Sequence, residues 1–232
     1  VVGLEFAAPI EPDPRMNTEQ ARFNMIEQQI RPWDVLDPGV LALLSQLHRE
    51  DFVPAAYRSM AFMDTEVPLP DGQCMLTPRV EARLLQELQL QGDENVLEVG
   101  AGSGFMAALL AHRARRVLTL EISDTLARLA EANLRRAGLS NVTVRCFDGC
   151  GGARGEAPFD AIVLSGSVAL VPQPLLEQLK RGGRLIAIVG DEPVMRARLY
   201  KRIDDASWSQ LDLFDTVAPR LRNFPQPDRF SF

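Results

Sequence analysis

A glycine-rich turn between a predicted strand and a predicted helix carries the strongest chemical signal in this sequence. The turn follows the strand Asn95–Val99 and precedes the apolar helix Phe105–Ala111. Such an abrupt passage requires a turn with few Cβ atoms, because glycine adopts positive φ and lets a ligand approach the backbone. The pattern therefore predicts a nucleoside-cofactor site. Its predicted contacts in the turn are Gly100, Gly102, Ser103 and Gly104.

An acidic residue just before the glycines, Glu98, indicates which cofactor binds. A dinucleotide site has the pattern G-x-G-x-x-G, whose last glycine would stand where this chain has Phe105. A carboxylate beside the turn repels a pyrophosphate but attracts the ammonium group of an amino-acid moiety. The residues therefore favour S-adenosylmethionine (SAM) over NAD, with Glu98 expected to attract the cofactor's ammonium group.

Polar residues recur at the carboxyl ends of the strands that follow. Glu121 ends the second predicted strand about 20 residues after the first glycine, where a carboxylate usually accepts both ribose hydroxyls. Asp148 follows the third predicted strand, Val142–Phe147, and is expected to accept the adenine amino group. Ligands of open α/β sheets bind at this edge. The predicted contacts beyond the turn are Glu121, Ile122, Asp148, Gly149 and Ser165.

The elements that must position these residues alternate between strand and helix from residue 95 to residue 190. This alternation predicts an α/β fold with a Rossmann-like, doubly wound and mostly parallel sheet. The fourth strand is expected at Phe159–Leu164, with Ser165 to Ser167 in a loop at its carboxyl end, and the fifth at Leu185–Val189. Two later strands, Met195–Ile203 and Trp208–Val217, are predicted to end the sheet as an antiparallel pair. The segment Ala61 to Pro70 is expected to be irregular.

The N-terminal part is expected to be helical, with helices opening near Asn17, Asp37 and Thr77. We expect residues 16–78 to contribute to the acceptor site and residues 79–232 to form the SAM-binding core with its C-terminal strands and tail. Residues 1–15 are interpreted as a leader that precedes a natural start at Met16.

Composition excludes several classes of protein. The 232 residues are 46% hydrophobic and 24% charged, which is typical of one soluble globular domain. A net charge of −6 argues against sequence-independent binding of nucleic acid. No apolar run reaches the roughly 20 residues that span a membrane. Three cysteines and two isolated histidines predict neither a disulfide framework nor a metal site, and they fit the cytoplasm. The oligomeric state stays open.

From about Met25 to Gly190, the chain resembles the protein-L-isoaspartate O-methyltransferases, a family of class I SAM-dependent methyltransferases. The most distinctive matches lie before the glycine turn. They are Asp51-Phe52-Val53-Pro54, Tyr57-Arg58, Ala61-Phe62, Asp64, Pro68-Leu69 and Gly72-Gln73. The resemblance implies that SAM is the cofactor and that peptides or proteins carrying isoaspartate are the substrates. It also implies carboxyl O-methylation as the reaction and protein repair as the role.

The chain departs from this family at the segment before the first core helix. The family pattern G-Q-T-I-S-Q-P is replaced by Gly72-Gln73-Cys74-Met75-Leu76-Thr77-Pro78. The family serine, which lies between methyl donor and substrate carboxylate, is therefore Leu76. We assign Gln73 and Thr77 as candidate catalytic residues, and Thr77 has an alternative role as the N-cap of the helix at Pro78.

Two other functions stay open. Because Leu76 changes the acceptor pocket, the chain could be a methyltransferase of the same lineage with another acceptor. It could also be a catalytically silent module that binds SAM. Methylation of nucleic-acid amino groups is disfavoured, since the D/N-P-P-Y/F signature is replaced by Leu164-Ser165-Gly166-Ser167.

Overall fold

The computed structural model describes residues 14–226, and a seven-stranded sheet forms its centre. Two short strands, β1 (Val67–Pro68) and β2 (Cys74–Met75), form a separate antiparallel pair. The large sheet consists of β3 (Asn95–Val99), β4 (Arg116–Glu121), β5 (Val142–Cys146), β6 (Phe159–Val168), β7 (Leu179–Asp191), β8 (Val194–Arg202) and β9 (Trp208–Thr216). Its order is β5-β4-β3-β6-β7-β8-β9, parallel from β5 to β7 and antiparallel from β7 to β9. The predicted fold class is confirmed.

Helices precede the sheet and connect its parallel strands. They are α1 (Pro14–Met25), which continues as a π-helical segment (Ile26–Ile30), α2 (Pro38–Gln46), α3 (Pro78–Leu88), α4 (Phe105–Ala111), α5 (Asp124–Arg136) and α6 (Gln173–Leu176). Side chains cap two of them: Asp37 accepts from the Val40 N–H at 2.8 Å, and Ser123 accepts from the Leu126 N–H at 3.2 Å. These caps fix where α2 and α5 begin.

The central strands are apolar at consecutive positions because both faces of the sheet are covered. In β3, Val96 packs into one hydrophobic cluster and Leu97 into the other. In β6, Ala161 and Ile162 divide between the same two clusters. Both faces of these central strands are therefore buried. Within residues 14–226, no helix is long and apolar enough to cross a membrane.

The predicted end of β6 at Leu164 is wrong, because the strand continues to Val168. The chain after β9 returns to this strand and forms backbone hydrogen bonds with its last residues. The Ser167 N–H donates to the Pro219 carbonyl at 2.7 Å, and the Leu221 N–H donates to the Ser167 carbonyl at 2.9 Å. Residues predicted as a loop are thus extended strand, paired with β7 on one side and with the tail on the other.

Three other boundaries differ from expectation. β7 begins at Leu179 and ends at Asp191, so it exceeds the predicted strand Leu185–Val189 at both ends. The region from residue 61 to residue 70, expected to be irregular, contains β1. Helix α1 begins at Pro14, before the predicted opening at Asn17. Residues 1–13 of the predicted leader lie outside the described residues, and that interpretation stays a prediction.

We predict that Gly104→Ala lowers the free energy of unfolding by about 2 kcal/mol or more. Gly104 has a φ of 87°, and a Cβ atom there would lie 3.2 Å from the Ala130 backbone. Urea denaturation measures the loss. Gly155→Ala is the control, since no atom lies within 4 Å of its Cβ position. A Gly104→Ala protein within about 0.5 kcal/mol of the wild type would contradict this assignment.

Candidate active site

The turn after β3 has the backbone conformation that its glycines predict. Gly100, Gly102 and Gly104 have φ values of 95°, 53° and 87°. The Gly104 N–H donates to the Ala101 carbonyl at 2.7 Å, which closes the turn just before α4. An L side chain is strained at such φ values. The turn is therefore built to let another group approach its backbone closely.

A cleft lies over this turn at the carboxyl edge of the sheet. It holds about 540 Å³ of empty space, which includes open solvent at its mouth. Most of the predicted site residues meet here. Those that line the cleft are Gln73, Gly100, Gly102, Glu121, Ile122, Asp148, Gly149 and Ser165.

The carboxylate of Glu121 ties the turn to the beginning of α5. Its Oε2 accepts from the Gly102 N–H at 2.9 Å, and its Oε1 accepts from the Ser123 N–H at 3.0 Å. The side chain is buried but lines the cleft. Because each carboxylate oxygen has two lone pairs, Glu121 keeps one acceptor site per oxygen for the hydroxyl groups of a ligand.

Glu98 is fully buried and does not line the cleft. It accepts hydrogen bonds from the hydroxyls of Thr119 and Ser165, both at 2.7 Å. Burial raises the pKa of Glu98 to about 7, the two hydroxyls oppose this rise, and the carboxylates of Glu121 and Glu81 add to it. Ser165 does line the cleft, so its hydroxyl connects the cleft to the buried Glu98 carboxyl.

Asp148 and Gly149 lie at the far end of the cleft, after β5. Asp148 accepts from the Cys150 N–H at 3.0 Å and from the Asn223 side-chain amide at 2.7 Å. Burial works against ionisation, but these hydrogen bonds outweigh it and hold the pKa of Asp148 below its ordinary value. A Cβ at Gly149 would lie 2.4 Å from Cγ1 of Val99. The strand packing therefore requires glycine here.

The sequence did not predict that the C-terminal tail covers the cleft. Leu221, Arg222 and Phe224 line it. A Cβ atom at Gly100 would lie 2.9 Å from Cδ2 of Leu221. Arg222 donates to the Asp71 carbonyl at 2.9 Å, so the tail is bonded to the opposite rim. The sequence signal available was the presence of Leu221 and Phe224 in the tail, two apolar residues beyond the last strand.

A smaller cavity adjoins the cleft on the side of β2. Ser103, predicted as a cofactor contact, lines this cavity. The other lining residues include Cys74, Leu76, Glu81, Gly102, Phe105 and Ser165. The cavity and the cleft share Cys74, Gly100, Gly102 and Ser165, so a ligand on the turn would contact both.

Glu81 brings a buried charge to this smaller cavity and was missed by the sequence analysis. It is 4% exposed and forms an ion pair with Arg49, which is 1% exposed. Burial raises the pKa of Glu81 to about 7, and Arg49 opposes that rise. A signal was available, because Glu81 interrupts the apolar face that Val80 and Leu84 form on α3.

The two candidate catalytic residues lie in different surroundings. Gln73 lines the cleft and donates weakly to the Asp71 carbonyl at 3.4 Å. Thr77 occupies the N-cap position of α3, but its side chain forms no capping bond. The N–H groups of Val80 and Glu81 donate to the Thr77 carbonyl instead. Its hydroxyl is buried without a hydrogen-bond partner among the described residues, and Thr77 lines neither cavity.

A family model described as protein-L-isoaspartate(D-aspartate) O-methyltransferase matches residues 20–217. Named relatives agree with it. A protein-L-isoaspartate O-methyltransferase of Syntrophobacter fumaroxidans is 41% identical over 176 residues, which cover 76% of this chain and 82% of that protein. One of Rhodopseudomonas palustris is 43% identical over 193 residues, which cover 82% of this chain and 79% of that protein.

Solved structures share the fold at lower identity. A protein-L-isoaspartate O-methyltransferase superposes with a TM-score of 0.75 and 24% identity, covering 88% of this chain and 65% of that chain. A candidate enzyme of the same name from Plasmodium falciparum, in complex with S-adenosyl-L-homocysteine, gives a TM-score of 0.74 and 19% identity. The match covers 88% of this chain and 98% of that chain.

We predict that Glu98→Gln weakens the pH dependence of stability. Because the folded-state pKa of Glu98 is raised to about 7, protonation favours the folded state. Its contribution is full below the ordinary pKa and is lost as pH rises through about 7. The free energy of unfolding of the wild type should therefore fall more between about pH 5 and about pH 8 than that of the variant, by roughly 2–3 kcal/mol.

Urea denaturation across this pH range measures the difference. In Glu98→Gln the amide oxygen accepts from one of the two hydroxyls, Thr119 or Ser165, and the amide nitrogen donates to the other, so both contacts can be kept. Glu81 titrates in the same direction in both proteins, so the difference reports Glu98 together with its coupling to Glu81. Parallel stability curves for the two proteins would contradict the raised pKa.

Proposed function

The chain belongs to the protein-L-isoaspartate(D-aspartate) O-methyltransferase family, and on this premise we propose its reaction and substrate. It transfers the methyl group of SAM to the free carboxylate of L-isoaspartyl residues in damaged peptides and proteins. The observation that carries this proposal is the glycine turn held open at the sheet edge by the Glu121 carboxylate. Protein repair is the corresponding biological role.

The residues of the cleft fit such a cofactor. Three glycines with positive φ allow close approach to the backbone. Glu121 offers acceptor sites to the ribose, and the half-exposed apolar side chain of Ile122 offers a surface to the base. The Ser165 hydroxyl donates to the buried Glu98 carboxyl, so its oxygen faces the cleft as an acceptor for an ammonium group. The cofactor itself supplies a methyl group activated by bonding to a sulfonium.

The acceptor needs orientation rather than activation. An isoaspartyl carboxylate is ionised near neutral pH, so no general base is required. Leu76 and Phe105 line the smaller cavity and exclude water from the surroundings of the acceptor carboxylate. We propose that Gln73, which lines the cleft, orients the acceptor. Thr77 stays a weaker candidate, because its buried hydroxyl reaches a ligand only after local movement.

A second function, methylation of another acceptor, is favoured by one observation. The smaller cavity contains the Glu81 carboxylate in addition to Leu76, where the family has serine. A carboxylate next to the acceptor disfavours an anionic substrate to the extent that Arg49 does not neutralise it. An uncharged acceptor such as a hydroxyl or amine would not meet this repulsion.

The decisive assay compares an isoaspartyl peptide with its aspartyl twin. With methyl-labelled SAM, we expect a base-labile methyl ester on the isoaspartyl peptide alone, since the twin lacks the free α-carboxylate at that residue. Release of labelled methanol on raising the pH measures the ester. No ester on either peptide, with intact binding of S-adenosylhomocysteine, would reject the isoaspartyl acceptor and favour the second function or a silent binding module.

We predict that Glu121→Ala lowers the affinity for S-adenosylhomocysteine by about 10-fold to 100-fold or more, because charge-assisted hydrogen bonds are worth about 1.5–3 kcal/mol. The variant loses the ribose acceptors and the bond that fixes the Gly102 N–H. Titration calorimetry measures the affinity. Glu131→Ala, an exposed position on α5, is the matched control, and an unchanged affinity in Glu121→Ala would refute the ribose assignment.

A further inference from the structure

The side chain of Arg49 joins four separate parts of the chain beneath the smaller cavity. It is 1% exposed. Its Nε donates to the Ala61 carbonyl at 3.1 Å and its Nη2 donates to the Leu76 carbonyl at 2.8 Å. Its Nη1 pairs with the carboxylate of Glu81. The guanidinium carbon lies 4.8 Å from the ring centre of Phe105, the first residue of α4 after the glycine turn.

Stability alone does not account for this buried pair. Removing two charges from water costs about as much as their attraction returns, so apolar residues of similar size often stabilise a core equally well. Glu81 lies among Val80, Ala82 and Leu85, where an apolar side chain would pack without that cost. An apolar pair could not bond two carbonyls and a carboxylate in fixed directions, as a planar guanidinium does. The pair therefore contributes hydrogen bonds of fixed geometry, which orient the groups that it contacts.

The groups that Arg49 holds belong to the wall beside the cofactor turn. Leu76 and Glu81 both line the smaller cavity, together with Ser103 of the turn. The serine of the family at position 76 is replaced by leucine here, so the side chain offers no hydroxyl. The backbone carbonyl of Leu76 is held firmly from below instead.

We infer that Arg49 is a positioning residue for methyl transfer, because it fixes the Leu76 backbone and the Glu81 carboxylate against the cofactor turn. This inference rests on the proposed function and deepens it. In this chain, anchoring of the backbone at position 76 takes over the orienting role that a hydroxyl at that position would have.

The reaction is sensitive to such anchoring because it is an in-line displacement. An acceptor carboxylate oxygen forms a bond to the methyl carbon while the carbon–sulfur bond breaks, and the bonding electron pair goes to sulfur. No proton is transferred, so the protein's contribution is alignment. A displacement of about 1 Å at the acceptor wall lowers the rate by about 100-fold.

Arg49→Lys tests the inference, because lysine keeps the charge but lacks the planar fork of donors. Arg184→Lys is a matched control. Arg184 also pairs with a glutamate, Glu94, and donates to two carbonyls, those of Leu88 at 2.7 Å and Asp160 at 3.2 Å. It lines neither the cleft nor the smaller cavity.

For Arg49→Lys we expect kcat on the isoaspartyl peptide to fall about 10-fold to 100-fold. KM for SAM should change less than about 3-fold, since the contacts of Glu121 and of the turn backbone are retained. Amide hydrogen exchange of residues 73–77 should become faster. Arg184→Lys should lower the melting temperature about as much as Arg49→Lys does. Its kcat should nevertheless stay within about 3-fold of the wild type.

If Arg49→Lys does not fold, Glu81→Gln replaces it. The amide oxygen introduced by that substitution keeps one bond to Arg49, but the negative charge is removed. We expect kcat to fall about 5-fold and the exchange of residues 73–77 to accelerate. A kcat within about 3-fold of the wild type, or an equal loss in Arg184→Lys, would overturn the inference. If the wild type forms no ester, the proposed function fails. The role of Arg49 is tested separately by hydrogen exchange, and exchange at residues 73–77 that is unchanged in the variants would refute it.

Discussion

The site depends on one interaction. The carboxylate of Glu121 accepts hydrogen bonds from two backbone N–H groups. One N–H belongs to Gly102 in the turn after β3, and the other belongs to Ser123 at the start of α5. Because the two loops come from neighbouring strands, this carboxylate sets the distance between them at the sheet edge. The glycines of the turn adopt positive φ without strain, and the Ala130 backbone leaves no room for a Cβ atom at Gly104.

Buried negative charge is the second feature that gives the site its chemical preference. Glu81, Glu98 and Glu121 are all buried around the same turn, and of these three only Glu81 is paired with an arginine. Such an environment disfavours a pyrophosphate and favours a ligand that carries a sulfonium and an ammonium group. The raised pKa values of Glu81 and Glu98 show the cost of holding these charges in the interior. That cost is tolerable where a cationic ligand offsets it.

Sequence reasoning succeeded where a signal is local. The glycine spacing, the acids at strand ends and the alternation of apolar residues follow from backbone geometry within each element. The turn, the position of Glu121 at the sheet edge and the fold class could therefore be predicted. It failed where contacts join distant segments. Leu221 packs on Gly100, and Arg49 holds Leu76, yet no short pattern encodes either contact. Glu98 was recognised, but its hydrogen bond from Ser165 follows from the pairing of β3 with β6.

A crystal structure of the protein with S-adenosylhomocysteine tests the central claim most directly. The account predicts that both ribose hydroxyls donate to Glu121 and that the amino-acid end lies against the glycine turn beside Ser165. The tail residue Leu221 should remain over the turn. A nucleoside bound elsewhere, or a ribose that does not contact Glu121, would contradict the account.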